Sequence, residues 1–247
     1  MGRIGLQLYT VRRAGADDLA ATVRAVGEMG FDGVEIFDLH GHEPARVRTW
    51  LDEARLDVCA RHATLDAIES QLPTLVTEAE VLGWRRLVVS WVDPALIRGR
   101  ADEVRTRLVH AAEEAAAAGH EVGYHNHDAE VRRGASGRSF LDDLPSELFV
   151  ELDLGWAWWS GAEPVELLDR TRGRCPLVHV KDFRTRGEPP SYCPVGEGAV
   201  GFDRVAPAAV AAGVEWLIVE QDETDGDELD AARRSFEALT AMVEHAS

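Results

Sequence analysis

Residues 149–153 read Phe-Val-Glu-Leu-Asp, and the alternation across these five positions decides the fold. Successive side chains of a strand point to opposite sides. Val150 and Leu152 therefore share one face, and Phe149, Glu151 and Asp153 share the other. Such a strand fits a closed sheet whose outer face is covered by helices and whose lining becomes polar toward one mouth. Residues 177–181 repeat the pattern, with Val178 and Val180 outward and Leu177, His179 and Lys181 inward. Residues 216–222 do so again, with Leu217 and Val219 outward and Trp216, Ile218, Glu220 and Asp222 inward. Upstream, Gly123, His125 and His127 share a face. In all four runs the inward face turns from apolar or small to ionisable toward the C-terminal end of the strand.

Outward from this core the same rhythm covers the chain. Further β-rich runs are read at 4–9, 33–37, 57–62 and 87–91, with the strand before residue 149 at 121–126. Helix-like stretches lie between them at 17–28, 43–53, 65–82, 94–118, 163–171 and 203–212, and a last one at 228–245. Gly30, Gly83, Gly119 and Gly213 mark helix ends. Eight strand–helix units close a (β/α)₈ TIM barrel, which typically takes about 250 residues. The chain has 247, with no Pro/Ser-rich linker or break in composition, so residues 1–247 are read as one barrel domain. Neither GxGxxG nor GxxxxGK[ST] occurs, which weakens a doubly wound nucleotide-binding alternative.

Composition narrows the partners. Forty-four acidic against 26 basic residues give a net charge of −18, a field that repels phosphate backbones and disfavours nucleic acid. The N-terminal MGRIGLQLYTVRR lacks the apolar core and cleavage site of a secretory signal. No run approaches the roughly 20 apolar residues of a membrane span. Cys59, Cys175 and Cys193 are odd in number and lack CxxC spacing, so they read as reduced structural thiols of a cytoplasmic protein. A homo-oligomer is compatible with the sequence, although no interface signature identifies one.

At the mouth of a parallel barrel, four adjacent strands would deliver imidazole, carboxylate, imidazole and carboxylate to one place. Buried charges of this kind are costly unless they are paired or bind a metal. Two His and two carboxylates suit one divalent ion (Mn, Zn, Co, Fe or Mg) with positions left for substrate oxygens. The competing reading is an inward salt-bridge layer of Glu151, Asp153, His179 and Lys181.

The segments LQLYTVR, GFDGVEIF, YHNHDAE, ELDLGW, HVKDF, PVGEG and IVEQD, in this order, resemble the xylose isomerase-like TIM-barrel superfamily. Within it the chain is most similar to the sugar phosphate isomerase/epimerase and inosose dehydratase-like group. The resemblance implies metal ligands at Asp153, His179 and Glu220, with His125 standing where many members carry Glu. His127 has the same parity and is the alternative fifth-strand ligand. It implies Glu220 as an acid/base group, with Lys181 and Glu151 as candidates for the second; a nearby cation would lower the Lys181 pKa. His62, Glu35, Trp156, His127 and Glu197 are candidate substrate contacts, and Trp91, Trp158 and Trp159 further candidate apolar walls. Glu35 could instead pair with an Arg. The implied activity is metal-dependent isomerisation or epimerisation of a free keto-sugar or polyol through an enediolate. An inosose dehydratase-like lyase acting on a cyclitol or keto-sugar and a catalytically silent sugar- or partner-binding barrel are the alternatives. Endonuclease IV-like enzymes share the superfamily, but the acidic charge opposes that reading.

Overall fold

Eight parallel strands close on themselves in the computed structural model, which describes residues 2–134 and 136–244. They are β1 (Arg3–Gln7), β2 (Gly33–Ile36), β3 (Asp57–Ala63), β4 (Arg86–Val89), β5 (Glu121–His125), β6 (Phe149–Asp153), β7 (Leu177–Val180) and β10 (Trp216–Val219). Their order around the barrel is β1-β10-β7-β6-β5-β4-β3-β2. The short β8 (Asp182–Phe183) and β9 (Tyr192–Cys193) pair antiparallel beyond the mouth. The surrounding helices are α1 (Arg12–Met29), α2 (Pro44–Ala54), α3 (Leu65–Leu82), α4 (Pro94–Gly99), α5 (Ala101–Ala117), α6 (Asp128–Val131), α7 (Leu154–Trp159), α8 (Pro164–Arg170), α9 (Phe202–Ala211) and α10 (Glu228–Glu244). This is a (β/α)₈ barrel.

The parity read from residues 149–153 holds around the ring. Val150, Leu152, Val178, Val180, Leu217 and Val219 pack in the large apolar layer under the helices. Cys59, Val88, Leu177, Trp216 and Ile218 form a second apolar cluster, against which Phe149 packs. This cluster plugs the barrel interior at its N-terminal end. Register sets the layer above it: Asp153 lies beside His179, His125 beside Glu151, and Gln7 beside Glu35. The polar side chains therefore stand on an apolar floor.

Several boundaries differ from the sequence reading. The first strand ends at Gln7, whose side chain accepts the Tyr9 N–H, and a 3₁₀ turn (Leu8–Val11) leads directly into α1. α1 is interrupted at Asp18 (φ −157°, ψ 94°), where the carboxylate accepts the Ala21 N–H and the Asp18 carbonyl accepts the Thr22 hydroxyl. The long stretch at 94–118 is two helices, because Arg100 leaves helical geometry (φ −140°, ψ 37°). Gly30 and Gly83 end α1 and α3 in the left-handed conformation. His245, expected as the end of the last helix, lies outside the described residues.

The turn from β6 into α7 is the tightest approach to the site. A Cβ on Gly155 would lie 2.0 Å from the Lys181 carbonyl oxygen. That neighbour is backbone, so a side chain would have to displace the end of β7. Gly155→Ala is expected to lower unfolding free energy by roughly 2–3 kcal/mol in urea denaturation, whereas Gly99→Ala, with open space around it, leaves it unchanged or slightly raised.

Candidate metal centre and active site

At the C-terminal ends of β5, β6, β7 and β10, one ligand atom each from His125, Asp153, His179 and Glu220 lies within 4.8 Å of the others. All four are buried. Each is held by a local device. Asp153 caps α7, its Oδ1 accepting the Trp156 N–H at 2.7 Å. Its Oδ2 is buried and accepts no hydrogen bond, facing His125 Nε2 at 3.9 Å and Lys181 Nζ at 3.2 Å. Asn126 ties β5 to β6, its Oδ1 accepting the Asp153 N–H at 3.0 Å.

The two imidazoles face two ways. His179 Nδ1 meets Glu220 Oε2 at 2.7 Å toward the mouth, while Nε2 meets Glu35 Oε2 at 2.7 Å below. His125 Nδ1 meets Glu151 Oε1 at 3.0 Å, which leaves Nε2 toward Asp153. A carboxylate behind a ligating imidazole fixes its orientation and raises its basicity. Burial and the positive charge of His179 push His125 down to about 3, so it stands as a neutral imidazole with a lone pair to offer. A buried carboxylate oxygen that is ion-paired only with Lys181 and stands beside a neutral imidazole fits a divalent cation well.

A second group of His62, His125, Glu151 and His179 lies within the same 4.8 Å limit. It shares both imidazoles but takes their opposite nitrogens. Here His62 Nε2 sits 2.6 Å from Glu151 and 3.1 Å from Glu35, and its ring stacks on His179 at 5.3 Å. Burial opposes its charge, yet Glu35 and Glu151 raise His62 to about 9. This inner set therefore carries its own cation.

Lys181 closes the outer set. Its Nζ lies 2.8 Å from Glu220 Oε2 and 2.8 Å from Asp222 Oδ1. Burial would lower its pKa, but Asp222, Glu220 and Asp153 hold it well above the ordinary range. This is the value without a cation, when three carboxylates surround the ammonium. Glu220 is held well below the carboxylate range: burial opposes this, and Lys181 and His179 overcome it.

Above these residues a cavity of about 480 Å³ is lined by Gln7, Tyr9, Phe37, His62, Ala63, Thr64, Ser90, Trp91, His125, His127, Glu220 and Asp222. His127 reaches it but belongs to neither cluster of candidate ligands. Trp91 supplies an exposed wall, at 51% exposure. Trp156 is buried, packed on His127, Phe183 and Tyr192, and stands behind the lining.

Three more of the expected site residues lie away from the cavity. Glu151, a candidate base, is fully buried among His62, His125 and His179; its carboxylate faces their imidazoles and does not line the cavity. Glu35 contacts neither substrate space nor an Arg; it accepts from Gln7 Nε2 at 2.7 Å and holds His179. Glu197 pairs with Arg234 of α10 on the outside and does not line the cavity. Its loop is organised by Asp182, whose carboxylate accepts the N–H groups of Gly196, Gly198 and Val200.

Glu130, Asn126, Asp222 and Tyr192 received no role from the sequence. Glu130 accepts from the buried Tyr124 hydroxyl and from the His127 N–H, both at 3.0 Å, fixing the turn that carries His127. Its spacing three residues after His127 is a helix-start signal that was legible. Tyr192 hydrogen-bonds Asp222 from a two-residue strand too short to leave a pattern.

His62 predicts a pH dependence. Its proton is bound more tightly in the folded chain, at about 9, than in the unfolded chain, at the ordinary 6.5. The stabilisation is complete below pH 6.5 and is lost as pH rises through 9, a change of roughly 3 kcal/mol. Urea titrations of chelator-treated protein are expected to show this loss, and His62→Gln is expected to flatten it.

Comparison with known proteins agrees with this architecture. The chain is 24% identical to an inosose dehydratase of Geobacillus kaustophilus (strain HTA426), over 89% of this chain and 86% of that protein. Its fold superposes on a sugar phosphate isomerase/epimerase of Parabacteroides distasonis ATCC 8503 with a TM-score of 0.81 at 19% identity, covering 97% and 98% of the two chains. It superposes on an L-ribulose 3-epimerase with a TM-score of 0.75 at 19% identity, covering 100% and 96%. Residues 23–242 match the family model, and the chain belongs to the xylose isomerase-like TIM barrel family.

Proposed function

We propose that this chain removes a proton from the carbon next to the carbonyl of an unphosphorylated keto-sugar or cyclitol ketone, with one divalent cation held by His125, Asp153, His179 and Glu220. The observation that carries the reading is the meeting of two imidazole nitrogens and two carboxylate oxygens, within 4.8 Å, beside the mouth cavity. When bound, the cation supplies Lewis acidity that polarises the carbonyl and acidifies the neighbouring C–H. Glu220 lines the cavity and is held ionised, so it takes that proton. The C–H electron pair moves into the carbon skeleton, giving an enediolate.

Two outcomes follow from the enediolate, and the flanking groups favour one. Epimerisation needs a second base on the opposite face, and His125 occupies the position where a fifth-strand Glu would supply it. Around the cavity Glu220 is joined by His62, His127 and Asp222, with Lys181 paired to both Glu220 and Asp222 beneath; of these, Lys181 and His62 are held in the protonated form. Protonated neighbours suit an acid that gives its proton to a departing β-hydroxyl, which leaves as water. Dehydration is therefore the favoured branch, in line with the similarity to an inosose dehydratase. Isomerisation or epimerisation by return of the proton is the second reading, supported by the likeness to the epimerase folds.

The lining speaks to substrate. None of the described residues around the cavity is Lys or Arg, so a phosphate would meet no ammonium or guanidinium there. Tyr9, Phe37 and Trp91 offer apolar surface for C–H faces, and Gln7, Thr64 and Ser90 offer hydrogen bonds for hydroxyls. Three buried free cysteines suit a reducing compartment, and no helix among the described residues is long and apolar enough to cross a membrane.

Elemental analysis is expected to find one divalent ion per wild-type chain after Mn²⁺ loading and little in Asp153→Ala or Glu220→Ala. A panel of ketoses, aldoses and inososes followed by NMR in D₂O is expected to show a product lighter by one water. Deuterium gained without loss of water would select epimerisation, and a chain that takes up no metal and exchanges no proton would overturn both readings. Glu220→Gln is expected to lower turnover by about 10²–10⁴-fold.

A further inference from the structure

The Lys181 ammonium is bound by the same carboxylate oxygens that face the two ligand imidazoles. Glu220 Oε2 lies 2.7 Å from His179 Nδ1 and 2.8 Å from Lys181 Nζ. Asp153 Oδ2 faces His125 Nε2 and lies 3.2 Å from Lys181 Nζ. We infer that Lys181 is a built-in competitor for the cation site and that Asp222 is the position to which it withdraws, so that this pair sets the metal affinity. The inference rests on the metal reading proposed above.

The geometry leaves Lys181 few choices. Its side chain is 1% exposed, and the ring of Trp156 lies 5.6 Å from Nζ. It cannot turn to bulk water when a divalent ion takes the oxygens of Glu220 and Asp153. Asp222 is its third partner, at 2.8 Å, and is absent from both groups of candidate ligands. Tyr192 hydrogen-bonds Asp222, which fixes the carboxylate at the edge of the cavity. Two cations this close repel, and a buried ammonium without a counter-ion is strongly unfavourable. Lys181 therefore weakens metal binding, and Asp222 relieves that effect by holding the displaced ammonium. In the protein without metal, Lys181 has the opposite effect, because it neutralises Asp153 and Glu220. Asp222 is thus a positioning residue that acts through Lys181.

A double-mutant cycle tests this without reading turnover. Mn²⁺ affinity, from competition with a chelator, and the melting temperature of the metal-free protein are measured for wild type, Lys181→Met, Asp222→Asn and the double variant. Lys181→Met is expected to bind Mn²⁺ about tenfold more tightly or better while melting at a lower temperature without metal. Asp222→Asn is expected to weaken Mn²⁺ binding about tenfold in the wild-type background and to change it by less than about threefold when Lys181 is Met. If Lys181→Met does not fold, Lys181→Gln and the single Asp222→Asn are read by the same titration with the same signs. An Mn²⁺ affinity unchanged or weakened in the Lys181 variants, unchanged or tightened in Asp222→Asn, or an undiminished Asp222 effect in the double variant, overturns the inference while the metal reading stands. A wild-type chain that binds no Mn²⁺ overturns the metal reading itself and this inference with it.

Discussion

Eight ionisable side chains, Glu35, His62, His125, Glu151, Asp153, His179, Lys181 and Glu220, are buried together inside one barrel, and each must be neutralised by another. Isolated charges in such an interior would be far too costly to keep. Neutralisation is arranged in two tiers. Below, Glu35 and Glu151 face His62 and the inner nitrogens of His125 and His179. Above, Asp153 and Glu220 face the outer nitrogens of those same two imidazoles and Lys181. The remaining features of the site follow from this arrangement.

The lower tier acts as a template for the upper one. Each shared imidazole is gripped from behind by a carboxylate, so its mouth-facing nitrogen is aimed before any ligand arrives. The apolar plug of Leu177, Trp216 and Ile218 under the lower tier supports it from the closed end of the barrel. The β6–α7 turn adds a further constraint, since Asp153 spends one oxygen on the Trp156 N–H and keeps the other toward the site. Rigid strands and capped turns hold the donors within a small volume, and such preorganisation favours binding and chemistry alike.

Strand parity made much of this legible. The inward sets at residues 149–153, 177–181 and 216–222 were readable because alternation is a backbone property that burial on the outer face cannot disguise. His125, Asp153, His179 and Glu220 could be named together for that reason. The partners of Glu35, Glu151 and Glu197 could not. Glu35 and Glu151 lie on strands two and six, and only closure of the barrel brings both to His62. Glu197 sits in a loop whose path is set by hydrogen bonds to Asp182, and parity says nothing about loops. The break at Arg100 was hidden because the stretches on both sides have ordinary helical composition, and the turn of helix before Asp18 was missed because residues 12–17 carry no apolar periodicity.

The sequence by itself determined the eightfold strand–helix rhythm, the apolar outer face and the ionisable inner face of each strand, because these depend on local periodicity. Only the tertiary structure decided which carboxylate faces which imidazole, that Lys181 stands between Asp153, Glu220 and Asp222, and that Glu151 is sealed from the cavity. Those pairings depend on strand register and on depth within the closed barrel. Register and depth arise from contacts between residues far apart in the chain, which no single segment encodes.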